Sequence, residues 1–244
     1  MFFRKRAEPT NFTVIAPWVV TPTADFLGND GRWSTFLINV GDDATGTKGQ
    51  DFKVLISTSS SITTVPEQAN WCDTPDEEAC AANRGVQLFQ NRQSLGFQSS
   101  LSSSWKTSGL FDLPVLSYSD NFPEDSKPKA EYGLDNVGLG PSSTDSLIMA
   151  DQVVAGISTQ NFFMGSFGLG IQPIDNGGVK QPWLYNFHHF NNTPSKAYGY
   201  QAGAYYREYT FFTIIYQVSP RNQPTVLQMN NIGVITSSNP GTII

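Results

Sequence analysis

Apolar side chains that recur at every second position constrain this chain more than any other feature. In Trp33-Ser-Thr-Phe36-Leu-Ile38-Asn-Val40-Gly41, residues Phe36, Ile38 and Val40 fall on one face of an extended segment, because successive strand side chains point to opposite sides. A second run, Phe52-Lys-Val54-Leu55-Ile56, leads into Ser57-Thr58-Ser59-Ser60-Ser61 and then Ile62 to Val65. Further strand signals lie at Ser146 to Ile157 and Tyr198 to Tyr206. Val115 to Tyr118 and Tyr132 to Val137 read as two arms of a hairpin, and the Ser-rich residues 94–109 as extended or loop. Trp183 to Phe190 predicts one or two helical turns. The 21 Gly and 15 Pro punctuate these runs, and only 15% of residues are charged. The expectation is an all-β fold of short strands and turns; the balance argues against a helical bundle, a coiled coil and a charge-rich disordered chain.

The chain divides into an N-terminal arm (1–29), a β-rich body (30–206) and an atypical tail (207–244). The tail carries Tyr209 to Val218, an uncharged β-prone run for which the sequence offers no partner, and such a run is an aggregation hazard. Its most apolar part, Phe211 to Val218, is far too short for a transmembrane helix. The net charge of −6 and pI near 4.8 argue against a nucleic-acid partner, since phosphate binding needs clustered Lys and Arg. The basic cluster Arg4-Lys5-Arg6 precedes no apolar signal region. The protein is therefore cytosolic, or an upstream signal is missing from the start. Lys5-Arg6 reads equally as a dibasic processing site or a solvated charge run.

Two features favour secretion. Cys72 and Cys80 enclose a short acidic loop, a spacing that suits a small disulfide better than zinc. Asn11-Phe12-Thr13 and Asn191-Asn192-Thr193 are glycosylation sequons, the second weakened by Pro194. No cofactor or metal motif is present. Asp73, Asp76, Glu77 and Glu78 lack the alternating ligands and central glycine of a calcium loop and read as a solvated acidic loop. Gly138-Leu-Gly140 and Gly168-Leu-Gly170 lack the third glycine and the lysine of a phosphate cradle and read as turns. A serine nucleophile at Ser57 needs a base, and the two histidines, His188 and His189, lie adjacent on a helical segment with no nucleophile elbow near Ser57.

The apolar strand running into Ser57-Thr58-Ser59-Ser60-Ser61 resembles the first catalytic segment of the pepsin-type aspartic proteases, where such a strand enters Asp-Thr-Gly-Ser-Ser. Tyr118, with Ser119 and Asp120, falls where that family carries its flap, and Tyr132 to Val137 is similar to the strand leaving the flap. Phe167-Gly168-Leu169-Gly170 resembles the segment that threads beside the catalytic loop, and Asp135 a structural aspartate. The likeness is to a divergent, largely secreted fungal branch and covers about residues 30–206, one lobe of a two-lobed enzyme. It implies an acid protease lobe with a six-stranded barrel or sandwich, and a cleft for extended peptide. Ser57 stands at the catalytic aspartate, Ser59 at the glycine and Thr64 at the tryptophan behind the flap, while Thr58 is retained. No Asp-Thr-Gly or Asp-Ser-Gly occurs anywhere in the sequence.

The family cleaves peptides with two aspartates that share a proton and activate a water. The expectation is thus a pseudoenzyme whose cleft binds a peptide or a secreted protein, with no cofactor. The alternatives are a truncated member of an acid endopeptidase family and a non-functional fragment.

Overall fold

The computed structural model describes residues 18–43, 48–67, 75–113, 129–142, 147–158, 162–190, 196–201, 211–215, 227–230 and 233–236. The first strands are β1 (Trp18–Val20), β2 (Pro22–Leu27), β3 (Trp33–Val40), β4 (Gln50–Ser57) and β5 (Thr63–Pro66). Helix α1 (Glu77–Asn83) precedes a small hairpin, β6 (Leu88–Phe89) and β7 (Arg92–Gln93), and then β8 (Lys106–Asp112). Two long strands, β9 (Lys129–Leu139) and β10 (Leu147–Ile157), are followed by β11 (Ser166–Gly168) and the hairpin of β12 (Ile174–Asp175) and β13 (Val179–Lys180). Helix α2 (Trp183–Phe190) leads to β14 (Ala197–Gln201), β15 (Phe211–Ile215), β16 (Leu227–Asn230) and β17 (Gly233–Thr236).

The main sheet runs β2-β3-β4-β11-β5-β10-β9-β8, and β3 also pairs with β9, Ile38 opposite Leu139 and Val40 opposite Val137. That extra pairing closes six strands, β3, β4, β11, β5, β10 and β9, into a ring and removes their edges. Phe36, Ile38 and Val40 point together into the main core with Phe52, Val54 and Val65. Each such side chain contributes roughly 1.5–3 kcal/mol when taken from water. Strand β10 is buried on both faces. Val154 joins the main core, whereas Val153, Ala155 and Ile157 form a second one with Tyr132, Ile62 and Ile174. Helix α2 covers β11: Trp183 meets Phe167 edge to face at 5.2 Å and stacks on Phe187 at 5.0 Å.

The chain departs from the sequence reading in four places. The acidic stretch before Cys80 is not wholly loop: Glu77–Asn83 is helical because Asp76 caps it, accepting from the Ala79 amide at 2.9 Å. Glu77 and Glu78 sit in its first turn, where negative charge suits the helix dipole. The arm that pairs with β9 is Lys106–Asp112, earlier than the segment expected; Val115 to Tyr118 lies outside the described residues. The N-terminal arm holds two strands, β2 joining the main sheet. Lastly, Phe211–Ile215 has partners on both sides, β1 and β14, in a three-stranded antiparallel sheet. Among the described residues no helix is long and apolar enough to cross a membrane.

Candidate binding site at the serine loop

Strand β4 ends at Ser57, and the chain then turns through Thr58 to Ser61 before β5 begins. Strand β11 lies parallel to the end of β4, Gly168 in register with Ser57, and continues past the loop. The Leu169 amide donates to the Ser57 carbonyl at 2.8 Å, and the Gly170 amide to the Ser60 carbonyl at 2.7 Å. This approach requires glycine. A Cβ on Gly168 would lie 2.6 Å from the Ser61 carbonyl carbon, and one on Gly170 would lie 2.7 Å from Ser61 Oγ. Phe167 and Leu169, on either side of Gly168, are buried in the main core and hold the segment down.

Within the loop the hydroxyls serve the backbone. Ser57 Oγ accepts from the Ser60 amide at 3.1 Å and lies 3.5 Å from Ser59 Oγ. Ser60 Oγ accepts from the Ile62 amide at 3.1 Å. Thr58 and Ser59 are exposed. Behind the loop, Thr64 Oγ1 accepts from the Ser166 amide at 2.9 Å and pairs with the Ser166 hydroxyl at 3.0 Å, tying β5 to β11. No imidazole is among the hydrogen-bond partners of Ser57, and His188 and His189 sit in the last turn of α2. Among the described residues, then, none stands as the base that a serine nucleophile needs. Among the described residues no group of His, Cys, Asp or Glu is placed to hold a metal ion.

A cavity of about 290 Å³ opens beside the loop. Ser59 to Ser61 form one wall, Phe111 and Tyr132 another, and Ile174 to Asn176 a third. Tyr132 anchors the second core: its ring meets Phe111 edge to face at 5.7 Å, and its hydroxyl donates to the Asp112 carbonyl at 3.3 Å. Burial, aided by the Asp112 charge, pushes the phenol up to about 12, so it stays neutral. Asp112, Asp175 and Asn176 belong to this cavity, and sequence reasoning missed all three. They come from two separate stretches of chain, the end of β8 and the β12–β13 hairpin, and no local pattern joins them.

Asp135 lies within β9, fully buried, away from this loop chemistry. Its Oδ1 accepts from Ser102 at 2.9 Å, from Ser104, and from the Asn136 amide at 2.8 Å, while Oδ2 has no partner. Burial raises its pKa against those three bonds. Its bonds fasten the 102–104 loop to the barrel, a structural role. Tyr118, Ser119, Asp120, Cys72, Asn11 and Asn191 lie outside the described residues. Cys80 lies in α1, packed against the main core, and no free cysteine occurs among the described residues.

Compared with family models and with curated proteins, the chain matches none.

Proposed function

We propose that this protein is a catalytically silent, pepsin-like lobe that binds extended polypeptide in the cleft beside the serine loop. The observation that carries the reading is Ser57 itself. It ends β4 against β11, and its hydroxyl is engaged with the Ser60 amide. An aspartic protease needs a carboxylate there that ionises near working pH and shares a proton with a second one. A serine hydroxyl holds its proton throughout that range and cannot orient a water by charge. Binding survives such a change. Strand β8 ends at the cavity, and among the described residues it pairs with β9 on one side only. A free strand edge beside a pocket is the arrangement that takes up extended peptide by main-chain pairing.

Secretion, a Cys72–Cys80 disulfide and glycans on Asn11 and Asn191 belong to the same reading. Intact mass of the protein from its natural source, before and after glycosidase and reductant, tests them together. For the function, the purified protein is incubated with denatured haemoglobin at acid pH, with and without pepstatin. No cleavage is expected; pepstatin-sensitive cleavage overturns the proposal in favour of an acid endopeptidase.

A further inference from the structure

The cavity beside the serine loop sets the apolar side chains Phe111, Tyr132 and Ile174 beside two carboxylates. Asp112 closes β8, Asp175 closes β12, and both line the cavity. Among the described residues no lysine, arginine or histidine lines the cavity. Among the described residues the ion pairs are Lys53 with Asp25 and Lys106 with Asp151, so neither rim aspartate is neutralised by one. The neighbouring cations by register are Lys129, opposite Asp112, and Lys180, opposite Ile174; both are exposed and outside the lining.

A second observation is independent of the carboxylates. Asn176 is only 7% exposed and lines the cavity, yet its side-chain amide has no hydrogen-bond partner among the described residues. The amide opens onto the cavity, where its oxygen can accept from a bound donor. Volume is compatible with a side chain as ligand. About 290 Å³, at the lower end of the roughly 300–1,000 Å³ typical of ligand pockets, is room enough for a single long side chain.

We infer that this cavity is a specificity pocket for an arginine or lysine side chain of the bound polypeptide. The inference rests on the peptide-binding reading above. The aliphatic stem lies along Phe111 and Ile174 and the cationic head reaches the rim between Asp112 and Asp175, a division of labour natural to these side chains. Asn176 Oδ1 accepts one N–H, and arginine has donors enough to serve all three groups.

The test uses the full chain and capped pentapeptides Ala-Ala-Xaa-Ala-Ala, with Xaa arginine, lysine, norleucine or glutamate, titrated by NMR. A second probe is n-butylguanidinium. The arginine peptide is expected to bind about tenfold tighter than the norleucine one, the order of a charge-assisted hydrogen bond at a half-open site. That preference is expected to vanish in Asp112→Asn/Asp175→Asn and to shrink in Asn176→Ala. Equal binding of arginine and norleucine peptides, or a preference that survives in the double variant, overturns the pocket assignment and leaves peptide binding intact. If no peptide binds but n-butylguanidinium shifts the Asn176 amide in an aspartate-dependent way, the cation pocket stands and the peptide-binding reading fails. Silence from every probe overturns both.

Discussion

Gly168 and Ser61 approach so closely that one methyl group on Gly168 would sit 2.6 Å from the Ser61 carbonyl carbon. The obstacle is backbone on both sides, so neither strand can yield by rotating a side chain. Gly168→Ala is expected to destabilise the protein by about 3 kcal/mol or more, read as a lower urea midpoint. A control at Gly140, where a Cβ meets nothing within 4 Å but φ is +97°, is expected to cost about 1 kcal/mol. Equal losses at the two positions would refute the close-approach argument.

Glu67 lies over another bare glycine: a Cβ on Gly156 would stand 3.1 Å from its Oε2. Burial, and then a hydrogen bond with Glu131, raise the Glu67 carboxyl from its ordinary 4.5 to about 7, against the Ser158 hydroxyl that donates to Oε2 at 2.9 Å. Burial foremost also lifts Asp51 from 3.8 to about 6. A carboxyl whose pKa rises on folding holds its proton more tightly in the folded chain. Its stabilising effect is complete below the unfolded value and is lost as the pH rises through the folded one. Thermal stability is therefore expected to increase between pH 7.5 and pH 5, at about 2–4 °C per kcal/mol, and Glu67→Gln is expected to flatten that rise. A midpoint that falls over the same interval contradicts the assignment.

Arg84 ends α1 and is 3% exposed. Its Nε donates to the Phe163 carbonyl at 2.7 Å and an Nη to that of Phe162, while the guanidinium lies 5.8 Å from the Phe163 ring. Burial lowers its pKa to about 10, still charged at neutral pH. Arg84→Met keeps the volume and strips the donors from two carbonyls, an expected loss of about 2–3 kcal/mol. Because residues 162–163 feed into β11, amide exchange in Ser166 to Gly170 is expected to accelerate beyond that in β3. Uniform acceleration would mean that Arg84 supports the fold generally and not this segment.

Ser57→Ala removes one acceptor from a part-buried amide, an expected cost under about 1.5 kcal/mol, with peptide binding unchanged within twofold. Ser57→Asp is expected to bring no haemoglobin cleavage, since one carboxylate is half of the required pair. Acid proteolysis by that variant would show that a second carboxylate stands opposite.

Much of the barrel was legible because its strands obey period two: Phe36, Ile38 and Val40 enter one core as their spacing implies. Strand β8 was hidden because its pattern of Lys, Thr, Ser and Gly belongs to an exposed edge with little apolar alternation. Helix α1 was hidden by its brevity, although Asp76 before Glu-Glu-Ala carries a capping signal. The partners of Phe211–Ile215 lie in segments that only tertiary structure brings together. At the site, the serine loop and the glycines of 168 and 170 were visible as residues. The rim of Asp112, Asp175 and Asn176 was not, because its members share no sequence pattern and meet only once β8 and the β12–β13 hairpin are in place.

The pairing of Thr64 with Ser166 spans 102 residues. On a ribosome adding roughly 5–20 residues per second, the serine loop emerges about 5–20 s before the strand that must lie against it. During that interval the facing edges of β4 and β5 lack the strand that pairs with them in the folded protein. Until β11 arrives, the slot between them is open to other extended segments, a pairing error that the closed ring no longer permits.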